Sequence, residues 1–211
     1  MPIPRLLARI LAPVIDRVLP AIPVEDPWER LALRPAARAF GRGSTHDFGW
    51  YLEGESQVEA PSIDAVCEWL LGCAYVGDPE LFHEPDFWQH PRTFERLRQG
   101  DCEDHALWAW RKLLELGVDA ELFCGRWNVE ERDAGSHAWV VFRDESGEFV
   151  LEATARTRAE MVRPLAEVRA HYRPHACVNS RLRTEAFSGQ ILTMQEERAR
   201  RRAERRKGGS T

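Results

Sequence analysis

Cys102, His137 and Glu152 are the residues whose types and order in this sequence fit nucleophilic chemistry at an acyl carbon. A cysteine attacks as the thiolate, and the first turn of a helix favours an anion through its unpaired N–H groups and macrodipole. Cys102 stands at such a place. After it Ala106, Ala109, Trp110, Leu113 and Leu114 fall on one helical face, with Asp101 set to cap the start and Gly117 to stop the end. The thiol then needs a base, and the base needs a group that orients it. His137 and Glu152 lie in consecutive strand-like runs, His137 to Arg143 and Glu148 to Thr154, joined by the turn residues Asp144-Glu145-Ser146-Gly147. With Arg143 opposite Glu148, Glu152 falls opposite Trp139 and shares a face with His137, within diagonal reach. A bulge at Gly147 would move it to the other face.

The elements that must hold these groups are an α+β set: helices first, then an antiparallel sheet. Ser62 is an N-cap for a helix to about Val76, with Ile63, Val66, Leu70 and Cys73 at core spacing, so that Cys67 and Cys73 read as packing residues. The aromatic, proline-broken stretch from Phe82 to Pro91 reads as a loop of the kind that lines sites, and a short helix from Arg92 to Arg98 ends at Gly100. A strand from Ala120 to Trp127 precedes the other two. Arg158 to Tyr172 is expected to be helical and Cys177 to Asn179 to add an edge strand. Before the core, Leu6 to Val18 forms an amphipathic helix that packs on the domain or touches a membrane surface or partner, and a second helix is expected from Trp28 to Phe40. The domain assignment is an N-terminal helical extension over 1–45, a catalytic domain over 46–190, and a basic C-terminal helix or tail over 191–211.

A length of 211 residues supports one well-buried core, and 44% hydrophobic with 30% charged residues is the composition of a globular protein. The net charge of −5 argues against a chain that coats nucleic acid, which leaves the basic tail as the one segment suited to it. Glu196, Glu197 and Glu204 dilute even that tail. Five cysteines without a CxxC pair fit neither a disulfide framework nor a zinc ribbon. With no uncharged run long enough to cross a membrane and no clean signal-peptide core, the sequence-based expectation is a cytoplasmic protein with no transmembrane segment.

Gly100-Asp101-Cys102-Glu103-Asp104-His105-Ala106, Leu116-Gly117-Val118, Ser136-His137-Ala138-Trp139-Val140-Val141 and Val150-Leu151-Glu152-Ala153-Thr154 together resemble the transglutaminase-like superfamily. Asp86-Phe87-Trp88-Gln89-His90-Pro91 is similar to the segment that precedes the cysteine in the bacterial transglutaminase-like cysteine proteinases. The resemblance implies a papain-like fold, the nucleophile helix packed on the sheet, and a triad that cleaves or transfers the acyl group of a protein or peptide substrate. Cys102 would be nucleophile, His137 base, and Glu152 would stand where the family has Asp. An oxyanion hole would draw on the Cys102 N–H and on Trp88, with Gln89 and Gln99 as further candidates. No cofactor is required, although some relatives bind calcium at the acids flanking this cysteine, here Asp101 and Glu103. Several relatives work in the periplasm. Whether the acyl acceptor is water or an amine stays open.

Two readings compete with an enzyme. Cys102, His105, Cys124 and His137 could form a Cys2His2 zinc site, although their spacing matches no common zinc motif. Alternatively, the fold could serve as a non-catalytic binding or scaffold module.

Overall fold

The computed structural model describes residues 15, 17–31, 39–40, 43–127 and 135–208. The helix expected over Leu6–Val18 lies outside the described residues except at its end, as does most of that expected over Trp28–Phe40. At the start of the latter the chain is not helical: Trp28 sits in a turn and Arg30 bridges to Phe187.

Short helices come first: α1 (Phe48–Tyr51), α2 (Ile63–Leu71), α3 (Asp78–Leu81) and α4 (Pro91–Leu97). Ser62 caps α2 as expected, its side chain accepting from the Ala65 N–H at 3.1 Å, but Gly72 ends the helix five residues early. The next residues form β1 (Ala74–Tyr75), parallel to β2 (Gln99–Gly100). This strand pair fixes the chain just before Cys102, through bonds from Ala74 N–H to Arg98 O and from Val76 N–H to Gly100 O. Gly100 must be glycine here, because a Cβ would lie 2.4 Å from Asp104 Oδ2 and 2.6 Å from Gln89 Nε2.

Helix α5 (Cys102–Glu115) follows, and Gly117 closes it at φ +74° as its sequence position suggested. The periodicity marked one apolar face, yet α5 is buried on nearly all sides, Trp108, Trp110 and Leu113 completely so. Its polar residues are inside because each finds partners. Lys112 Nζ donates to Val58 O at 2.7 Å and to Ser56 Oγ at 3.0 Å, Arg111 donates to the carbonyls of Glu53 and Gly54, and Trp108 Nε1 donates to Glu95 Oε1 at 3.0 Å.

The sheet comprises β3 (Asp119–Trp127), β4 (Ser136–Asp144), β5 (Gly147–Leu151), β6 (Val162–Pro164), β7 (Tyr172–Val178) and β8 (Thr184–Ala186), in the order β6-β5-β4-β3-β7-β8, with every neighbouring pair antiparallel. Alternation along the strands splits the core in two. Ala120, Leu122, Ala138, Val140 and Phe142 face α5, whereas Phe123, Trp139 and Val141 face Val168, Tyr172 and Phe187 on the other side.

Two expectations about the second half are corrected. The 158–172 segment is not one helix but α6 (Arg158–Met161), β6 and α7 (Leu165–Val168), because Val162–Pro164 extend along β5 to cover its edge. Cys177 and Val178 do not lie at the edge of the sheet: β7 runs between β3 and β8. The last element, α8 (Ser188–Gly208), docks its first half on β7, where His175 Nε2 meets Thr193 Oγ1 at 2.9 Å and Arg173 pairs with Glu196 at 2.5 Å. The architecture is α+β, with the Cys102 helix packed on an antiparallel sheet.

Candidate active site

Cys102 is the first residue of α5 and is partly exposed. Asp101 occupies the cap position without a side-chain capping bond, and its Oδ1 is buried with no hydrogen-bond partner. The Cys102 thiol donates to Glu103 Oε2 at 3.2 Å. Burial pushes the thiol pKa well up and the acids Glu103 and Asp101 push it further, while the backbone N–H of Ala138, the residue after His137, pulls toward the thiolate. The sequence-based argument from the helix dipole is therefore outweighed locally by burial first and by the acids beside the thiol second.

His137 and Glu152 meet as the register required. Val140 pairs with Leu151 and Arg143 with Glu148, no bulge intervenes, and Glu152 follows the end of β5 with its N–H bonded to Met161 O at 2.7 Å. His137 Nε2 lies 2.7 Å from Glu152 Oε2, and both side chains are only 12% exposed. Tyr172 donates its hydroxyl to Glu152 Oε2 at 3.1 Å, and Thr154 donates to Oε1 through its hydroxyl at 2.6 Å and its N–H at 3.3 Å. Burial opposes the charge on Glu152, but the bonds from His137 and Thr154 overcome it and hold the carboxyl below its usual range. The imidazole is wedged between Trp127 and Trp139, with ring centroids at 5.7 and 6.2 Å. No hydrogen bond joins Cys102 to His137 among the described contacts. With Nε2 taken by Glu152, Nδ1 is the ring nitrogen left for a further partner.

The acids flanking the cysteine belong to a larger cluster. Carboxylate oxygens of Asp78, Asp101 and Asp104 lie within 4.8 Å of one another, as do those of Asp78, Asp86 and Glu103. Asp78 Oδ2 accepts from the Phe87 N–H at 2.6 Å, whereas Asp78 Oδ1 is buried without a hydrogen-bond partner. Burial, with bonding to Asp101 and the charges of Asp101 and Asp104, pushes Glu103 up to about 10; burial also raises Asp78 to about 6 and Asp104 well above its ordinary value. Such crowding, with buried oxygens of Asp78 and Asp101 that lack a hydrogen-bond partner, fits an oxygen-lined cation site. Sequence reasoning found Asp101 and Glu103 but missed Asp78 and Asp86. Gly77-Asp78-Pro79 offered only a turn signal, and nothing local ties either residue to position 103.

Trp88 is 6% exposed and packs edge-on against Phe48, and no hydrogen bond to its indole N–H is seen among the described residues. Gln89 is buried, its amide nitrogen donating to Asp104 Oδ2 at 2.5 Å and to Gln99 O at 2.9 Å, so it braces the acid cluster. Gln99 lies in β2. His105 Nδ1 bonds to Asp101 O at 2.7 Å, and the potential ligand clusters among the described residues include neither His105, Cys124 nor His137. Tyr172 and Thr154 were not foreseen as partners of Glu152. A Thr two residues after a buried acid was the signal available for Thr154.

Residues 86–182 match the CEP76 peptidase-like domain. That segment is just under half of the chain and contains Cys102, His137, Glu152 and five of the six strands of the sheet. Over that segment the chain is similar to a peptidase-like domain, and the structure around it is α+β, with the Cys102 helix packed on an antiparallel sheet. Among solved structures, Legionella pneumophila LapG is similar with a TM-score of 0.44 and 18% identity, covering 63% of this chain and 72% of that one. Its calcium-bound form gives 0.45 and 19%, with the same coverage. A candidate cysteine protease from Cytophaga hutchinsonii gives 0.35 and 15%, covering 62% of this chain and 54% of that one. No curated protein matches the chain.

Proposed function

We propose that this chain is a cysteine peptidase acting on a protein or peptide amide, with Cys102 as nucleophile, His137 as base and Glu152 as orienter. The observation that carries this reading is the 2.7 Å bond between His137 Nε2 and Glu152 Oε2, formed across the hairpin whose first strand packs against the Cys102 helix. A His–Glu pair nearly closed to water has little structural purpose at the rim of a sheet, whereas a base presented in one tautomer needs such a partner.

The thiol proton passes to His137 Nδ1 as the sulfur bonds to the carbonyl carbon. Collapse breaks the C–N bond, and the same proton leaves on the departing amine. Water, deprotonated by His137, then releases the acid and restores the thiol. Glu152 keeps the ring in place and stabilises the imidazolium. The Cys102 N–H and the Trp88 indole N–H are the candidate donors to the oxyanion. We further propose that Asp78, Asp86, Asp101, Glu103 and Asp104 hold a calcium ion, which when bound would offset the negative charge beside the thiol.

A thiol-directed acyl probe tests the site. Wild-type protein should label at Cys102, Cys102→Ala should not label at all, and His137→Ala should label far more slowly while remaining folded. Equal labelling of wild type and His137→Ala would leave a scaffold of the same fold as the better reading.

A further inference from the structure

Beyond His137 lies a cavity of about 460 Å³ that His137 and Glu152 line and Cys102 does not. We infer that it receives the leaving-group side of the substrate and selects an acidic side chain there. This inference rests on the peptidase reading, since the direction comes from the chemistry: the acyl half stays on the Cys102 sulfur, and the amine departs past the imidazole that protonates it.

The lining supplies the selectivity. Trp127, 42% exposed, and Tyr172 form an apolar wall against which a peptide can lie. Arg156 and Arg163 bring two guanidinium groups into the same cavity. Arg156 is exposed and has no hydrogen-bond or ion-pair partner among the described residues, while Arg163 has only a long 3.7 Å contact with Glu167. Two carboxylates also line the cavity. Glu152 is committed to His137, Thr154 and Tyr172, and Glu160 accepts from the Thr157 hydroxyl at 2.7 Å. The two guanidinium groups match the two carboxylates in number, but Glu152 is enclosed by its three partners, so Arg156 is the exposed, fork-shaped cation left to bind a carboxylate in bidentate fashion.

The test uses full-length Cys102→Ala protein and hexapeptides with free N-termini that differ only in a first residue of Glu, Gln or Lys, their affinities measured by calorimetry. The Glu peptide should bind at least tenfold more tightly than its Gln twin, and the Lys peptide most weakly. Arg156→Glu, on the same background, should reverse the order of Glu and Lys, which a merely structural role of Arg156 would not do. Equal affinities for the three peptides, or an order that Arg156→Glu leaves unchanged, would overturn the inference. The catalytic reading is judged separately, by cleavage in wild type of peptides carrying the same residues after the scissile bond. Acid-selective binding without any cleavage would retire the peptidase and keep the anionic subsite.

Discussion

His137 and Glu152 are fifteen residues apart in sequence, and their side chains meet at 2.7 Å across the β4–β5 hairpin, with Glu152 just past the last paired position of β5. Because that carboxylate also takes bonds from Thr154 and Tyr172, its place is set independently of the imidazole. Glu152→Gln should therefore lower the acylation rate about 10²–10⁴-fold with little loss of stability, since an amide can accept some of the same bonds but cannot balance an imidazolium. Glu152→Asp should retain part of the rate. The measurement is the rate of Cys102 labelling by the acyl probe, with melting temperature as control. Equal rates in all three proteins would show that Glu152 plays no part.

His175 offers a prediction about stability. Burial, followed by the charges of Arg126 and Arg173, lowers its pKa to about 4 in the folded protein, against about 6.5 for an unperturbed histidine. A folded-state value below the unfolded one means the contribution is fully present above pH ~6.5 and is lost as the pH falls toward 4, the unfolded chain taking up a proton that the folded one refuses. The slope approaches, at most, about 1.4 kcal/mol per pH unit in that window. His175→Gln, which can keep the bond to Thr193, should melt with a flatter pH dependence between 7 and 5. Parallel curves for the two proteins would show that His175 is not the group responsible.

The His137–Glu152 pairing was legible in the sequence because a four-residue turn fixes a register, and a register fixes faces. Helix α5 was legible at both ends for equally local reasons, Asp101-Cys102 at the start and Gly117 at the stop. What stayed hidden depended on distant partners. The spacing around Arg111 and Lys112 gave no hint that carbonyls of the 53–58 segment would take them inside. Periodicity extended α2 to about Val76, but Gly72 ends the helix and the pairing of Ala74 with Gln99 makes Ala74–Tyr75 a strand. The 158–172 segment looked helical because β6 is three residues long, too short to show an alternation. The acid cluster joins residues 78, 86, 101, 103 and 104, which the fold alone brings together.

Gly125 links the sheet to the site. It lies opposite His137 on β3, where the register with β7 slips, and a Cβ there would fall 2.1 Å from Arg173 O. Backbone cannot yield as a side-chain tip can, so Gly125→Ala should push β7 away at a cost of about 1–3 kcal/mol. Tyr172, at the start of β7, would move with it and withdraw its hydroxyl from Glu152. Denaturant titration should show the loss, and probe labelling should slow beyond what Tyr172→Phe alone produces. An unchanged midpoint would mean that β7 can shift freely, and that the close approach at Gly125 does not hold the strand.

The cation proposal makes the last prediction. A site that binds calcium in the folded protein and not in the unfolded chain stabilises by mass action, about 2.7 kcal/mol at a hundred times the dissociation constant. For a chain of this size that corresponds to a rise in melting temperature of about 5–10 °C. Asp78 is the informative position, because it appears in two of the acid groups, is 2% exposed, carries an orphaned oxygen and is remote in sequence from the nucleophile. Asp78→Asn keeps the acceptor for the Phe87 N–H but removes a charge, so the calcium-free variant should be at least as stable as wild type while its calcium response shrinks severalfold. Magnesium should give a smaller rise than calcium, since it prefers to keep its waters and a strict octahedral geometry. If calcium leaves the melting temperature of wild type unchanged, or raises that of Asp78→Asn equally, these carboxylates do not bind the ion. The oxygens at Asp78 and Asp101 would then have to find their partners in ordered water.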